Sequence, residues 1–201
     1  MKYGHLNLGQ IEAMVNKLGG MDRVNKFLRG ELIVSEPAKR WREENGVIYF
    51  SVNSDGATGE EWIARLGSEG FKVGDYAKSV LRSNSFKPIS GVTSEIAVLK
   101  GEIFSGNGTK TKKIRKEAKN RKFTTPNAEV ACLIREKFSD KELEAMGLYW
   151  IVVMHEPIKD SDGESRLLCV GRSGVGFWLG ANSDYPDDLW KRSNGFAFVV
   201  S

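Results

Sequence analysis

The sequence predicts an α+β fold with a small antiparallel sheet and helices mainly in the N-terminal two-thirds. Three observations carry that expectation. Apolar residues recur at helical spacing up to Gly147, in segments opened by capping signals and closed by glycine. The most hydrophobic run of the chain then follows, Leu148–Met154, short and rich in β-branched residues, which suits a central strand buried on both faces. The 22 glycines among 201 residues fit a chain that turns often.

In order along the chain, Leu8, Ile11, Val15 and Leu18 fall on one helical face that Gly19-Gly20 ends, and Val24, Phe27 and Leu28 give a second. Together they form a helical hairpin within residues 1–34, and Leu32-Ile33-Val34 reads as a strand. Asn45-Gly46 is a turn before the strand Val47–Val52. Thr58 and Glu61 make a capping box for the helix carrying Trp62, Ile63 and Leu66, and a shorter helix covers Asp75–Leu81. Val92–Phe104 reads as one or two strands. Thr125-Pro126 opens a helix whose face is Val130, Ile134 and Phe138; Ser139 and Glu142 cap the next. Arg166–Val170 pairs back onto the central strand after the turn Asp160–Gly163. No repeat or linker divides the chain, so one domain is expected.

With 40% hydrophobic and 28% charged residues, a wholly disordered chain is excluded. No apolar run approaches the ~20 residues that span a bilayer, and the start, Met1–Asn7, lacks the apolar core of a leader. A cytoplasmic protein with no membrane partner is the default expectation. Cys132 and Cys169 have no metal or redox spacing and read as reduced thiols.

Catalytic chemistry is sparse. His155 stands beside Glu156 at a strand end, where neighbours point to opposite faces, so a surface histidine is expected rather than a base. Gly171–Gly176 has the wrong spacing for a phosphate cradle. Asp160-Ser161-Asp162-Gly163 echoes a calcium loop but lacks its later ligands and reads as an ordinary turn. No cluster suits a metal, and neither a cofactor nor enzymatic activity is expected. The net charge is +4, and Lys110–Lys122 holds eight cations against Glu117 alone. A nucleic-acid partner bound through 110–122 is the second reading, weakened because no aromatics interleave to stack bases.

The C-terminus is the most informative stretch. Trp178-Leu179, Ala181, Asp184, Pro186, Trp190, Arg192 and Gly195-Phe196-Ala197-Phe198-Val199 stand in an order that resembles the variable proteins of diversity-generating retroelements. The resemblance covers about the last thirty-five residues. Formylglycine-generating enzymes share the fold and a similar ending, but their active-site cysteine pair is not matched by Cys132 and Cys169. The resemblance implies a C-type-lectin-like core at 148–201 and a non-enzymatic, target-recognition protein whose segment 169–193 is a hypervariable binding surface. A protein or glycan-bearing ligand is the partner it implies. In that family adenines of a template repeat are mutated, so AAC or AAT codons yield Asn, Ser, Gly, Asp, Tyr, Cys, Arg, Phe and Leu among others, but never Trp, Lys, Glu, Gln or Met. The candidates for diversified, ligand-binding positions, each a permitted product, are Cys169, Gly171, Ser173, Phe177, Gly180, Asn182, Ser183, Tyr185, Asp188, Leu189 and Ser193. Trp178, Trp190, Gly195 and Phe196 are the expected scaffold anchors, and Lys191 departs from the rule. Large aromatics that hold the fold while small polar residues contribute little to it would suit such a surface.

Overall fold

The computed structural model describes residues 5–34, 39–173, 176–185, 187 and 189–201. The chain divides into two compact units, Met1–Lys39 and Arg40–Ser201, where the sequence reads as one domain.

The first unit is the expected hairpin of α1 (Leu8–Leu18) and α2 (Met21–Leu28). Asn7 and Gln10 cap α1 reciprocally, side chain to backbone in both directions. Gly19, at φ 89°, closes it in the left-handed conformation that glycine adopts without strain. The strand expected at Leu32–Val34 does not form. The N–H groups of Glu31 and Leu32 instead bond back to the carbonyl of Lys26 and finish the α2 turn.

The second unit opens with a hairpin, β1 (Arg42–Glu44) and β2 (Val47–Asp55), turned through Asn45 and Gly46 at φ 51° and 73°. Then come α3 (Gly59–Ser68), β3 (Lys72–Val73), α4 (Asp75–Arg82) and β4 (Ser90–Lys100). A single turn of tight helix at Gly101–Ile103 leads to β5 (Gly108–Lys110), α5 (Thr111–Asn120), β6 (Phe123–Thr124), α6 (Val130–Lys137) and α7 (Asp140–Ala145). The C-terminal third is β7 (Trp150–Val153), β8 (Ile158–Lys159), β9 (Ser165–Ser173), β10 (Gly176–Ser183), β11 (Leu189–Lys191) and β12 (Asn194–Val200). Thr58/Glu61 and Ser139/Glu142 form the expected capping boxes. Helix α6 begins later than Thr125-Pro126 predicts. Asn127 takes over the start, its side chain accepting from the Glu129 N–H and donating to the Lys87 carbonyl.

The fold is mixed α+β, but the sheet is neither small nor antiparallel throughout. Among the described residues it has ten strands, in the order β1-β2-β4-β12-β7-β9-β10-β3, with β6 on β12 and β8 on β9. The last strand, β12, runs between β4 and β7, antiparallel to one and parallel to the other. That insertion joins the N-terminal strands to the C-terminal ones in one sheet. Gly195 permits the close approach, since a Cβ there would lie 2.5 Å from Val98 Cγ1.

Alternation along each strand separates two cores. Ile48, Phe50, Ile96, Val98, Ile151, Val153, Leu168, Val170 and Ala197 point to one face, which α3, α4, α6 and α7 cover through Trp62, Leu66, Val80, Ile134, Phe138 and Leu143. Val47, Leu99, Val152, Leu167, Cys169, Phe196 and Phe198 point to the other, where Ile114 and Ala118 of α5, together with Trp190, pack on them. That second cover leaves part of the β7–β9–β10 surface lining an open concavity.

Candidate functional site

Trp150 is the floor of the concavity. It stands directly across from Gly171 of β9. A Cβ on Gly171 would sit 2.0, 2.1 and 2.4 Å from Trp150 Cε3, Cδ2 and Cζ3, and one on Gly180 of β10 would lie 3.5 Å from Cζ3. The benzo ring therefore occupies the space that two missing side chains leave, an aromatic covering a cross-strand glycine. The half-exposed indole lines an opening of about 460 Å³ together with Tyr149, Asn182, Ser183, Tyr185, Leu189, Trp190, Lys191 and Asn194. Aromatic surfaces with a few polar groups at the rim are the ordinary composition of a small-ligand site.

The walls are tied to α5. Strand β11 pairs with β5, Trp190 opposite Thr109. Trp190 Nε1–H donates to Thr111 Oγ1 at 2.8 Å, and the Thr111 hydroxyl donates to the Tyr185 carbonyl at 3.4 Å. Trp190 also meets Phe196 edge to face, centroids 6.1 Å apart. Lys110 pairs with Asp187 at 2.7 Å, which holds that carboxyl below its usual range. Arg115 donates to the carbonyls of Met154 and His155 and pairs with Asp184. The Tyr185 hydroxyl donates to Glu164, which raises the phenol's pKa. Asn194 is only 7% exposed, and its Oδ1 finds no partner among the described residues.

Of the expected variable positions, Asn182, Ser183, Tyr185 and Leu189 meet at this rim. Gly180 lies beneath the Trp150 ring, and Ser193 is exposed, its carbonyl accepting from Tyr149 N–H. Cys169 and Gly171 are corrections. Both are buried, Cys169 with its thiol pushed up to about 12 by desolvation and Gly171 sealed by Trp150, so neither presents a contact surface. At the β9–β10 tip Ser173 stands opposite Gly176 and Phe177 opposite Arg172; the side chains of Ser173 and Phe177, and Asp188 and Pro186, lie outside the described residues. Among the anchors, Trp190, Gly195 and Phe196 are buried. Trp178 is half-buried near the sheet edge, with the Lys72 ammonium 5.5 Å from its ring centroid. Sequence reasoning missed Tyr149, Trp150 and Asn194, because what brings them here is strand register.

His155 is buried, not a surface histidine. Its Nδ1 lies 2.6 Å from the Glu156 carbonyl and its Nε2 accepts from Leu168 N–H at 2.9 Å, which defines the neutral Nδ1–H tautomer. Burial lowers its pKa to about 4. In the Asp160 turn the carboxylate accepts from the N–H groups of Asp162 and Glu164 and from Arg166, so its oxygens are engaged by donors. The basic segment forms α5, whose buried side is Thr111, Ile114 and Ala118. Lys110, Arg115 and Arg121 are ion-paired, while Lys112, Lys116 and Lys119 are exposed and in no ion pair among the described residues.

Comparison of the chain with protein-family models, curated proteins and solved structures returned no match. Among the described residues no three His, Cys, Asp or Glu side chains gather as a metal site, and no helix is long and apolar enough to cross a membrane.

Proposed function

We propose that this is a target-recognition protein whose binding site is the concavity over Trp150. One observation carries the reading: Asn182, Ser183, Tyr185 and Leu189, picked from sequence as replaceable positions, line one opening around an aromatic floor. The indole and the buried Trp190–Phe196 pair supply packing, while the rim side chains are exposed or half-exposed and replaceable at little cost to the fold. On the retroelement reading, β7–β12 is the lectin-like part of the chain, and diversification falls on the rim and on Ser193. Cys169 and Gly171 are then invariant despite their permissive residue types.

Two measurements test this. The neighbouring DNA should hold a reverse-transcriptase gene and a near-copy of the codons for Leu167–Ser201, with mismatches at adenines in the codons for Asn182, Ser183, Tyr185, Leu189 and Ser193. Absence of the copy, or mismatches concentrated at Cys169 and Gly171, would refute diversification. Separately, a library randomised at the five positions should keep the parental melting temperature in most members and yield binders on selection. Widespread unfolding would show that the rim is structural.

A further inference from the structure

We infer that the ligand of this site is single-stranded nucleic acid, one base stacking on Trp150 and the adjoining backbone running along the lysine face of α5. This rests on the reading of the concavity as the binding site, and not on diversification. The sequence separates the two ingredients: the basic segment contains no aromatic, and Trp150, Tyr185 and Trp190 stand far from it along the chain. The tertiary structure puts them together. Trp150, Trp190 and α5 all lie on the same face of the sheet, against the same core. Tyr185 and Trp190, which line the opening, bond directly to Thr111 in the first turn of α5. Lys112, Lys116 and Lys119 follow on the solvent side at helical spacing, over a helix of ten residues, about 15 Å long. Aromatic platforms beside a cationic track are how unpaired strands are held without sequence preference.

The opening suits an unpaired base. Among the described residues, Lys191 is the only charged one lining it. Asn182 and Ser183, both half-exposed at the rim, offer an amide and a hydroxyl to a base edge. A base inside a duplex has both faces stacked and cannot enter. The acids around the path are engaged: Asp187 pairs with Lys110, Asp184 with Arg115 and Glu117 with Arg121, and Glu164 accepts from the Tyr185 hydroxyl.

The test titrates the full-length chain into fluorescein-labelled oligothymidine, followed by anisotropy between about 50 and 200 mM salt. Expected are binding that weakens with salt, quenching of tryptophan emission, and weaker binding to a duplex of equal length. Reversing Lys112, Lys116 and Lys119 to Glu together should flatten the log–log salt slope by about 2, at roughly 0.7 per phosphate. Trp150→Ala should weaken binding about tenfold or more with the slope unchanged. Because that change also uncovers Gly171, Leu189→Glu on the exposed rim is a second arm, expected to weaken binding at an unaltered melting temperature. Equal affinity for duplex, no salt dependence, or full affinity in both rim and floor variants would overturn the inference. If oligothymidine is not held but a glycan or peptide array yields a ligand that Leu189→Glu abolishes, the inference fails and the site stands. If only the lysine reversals weaken oligothymidine binding, both fail.

Discussion

At Gly171 even a methyl group has no room, since its Cβ would lie 2.0 Å from Trp150 Cε3. Gly171→Ala should therefore cost about 1–3 kcal/mol in urea denaturation and shift tryptophan emission as the indole is pushed off its seat. An unchanged midpoint and spectrum would show that the ring does not rest there. The same residue scale decides His155. Its neutral ring is satisfied at both nitrogens, and its pKa falls from 6.5 to about 4 on burial. The folded state thus binds the proton less readily than the unfolded state. Its contribution is complete above pH 6.5 and is lost as pH falls from there towards 4, by at most about 3 kcal/mol. Denaturation across that window should show a slope in the parent that His155→Gln reduces; parallel curves would contradict the assignment.

At the scale of elements, α5 joins a core and a binding surface. Its buried side, Thr111, Ile114 and Ala118, repeats at helical spacing, a pattern passed over in a run that reads first as charge. What the local pattern does not contain is the use of Thr111 as acceptor for the Trp190 indole and donor to the Tyr185 carbonyl. Thr111→Val keeps the shape and removes both bonds. It should cost about 1–3 kcal/mol, because the indole N–H is left buried without a partner. Hydrogen exchange at the amides of β11 should quicken with it; protection equal to the parent's would show that β11 is held by its pairing with β5 alone. The capping boxes are simpler: Thr58→Ala and Ser139→Ala should each cost about 1 kcal/mol by thermal denaturation, since each hydroxyl accepts from an N–H of the first turn.

At the scale of the molecule, both cores and the whole ten-stranded sheet lie within Arg40–Ser201. A chain beginning at Arg40 should unfold in one cooperative transition, by calorimetry, and retain any binding at the Trp150 site; a broad, uncooperative transition would show that the hairpin completes the fold. By itself the sequence determined what a few neighbouring residues can determine. It marked the capped helices, the buried strand around Ile151–Val153 and the final strand at Phe196–Val200, but among the eleven positions it offered as variable it did not tell the four at the rim from the buried Cys169 and Gly171. The tertiary structure alone decided the pairing of distant segments: β12 between β4 and β7, the burial of His155 under Leu168, and Trp150 laid across Gly171 and Gly180 beside a cationic helix. The physical reason is range. Helix periodicity and capping are settled within one or two turns of chain, whereas strand register and ring-on-glycine packing are settled by which far-apart surfaces bury most area with their hydrogen bonds satisfied.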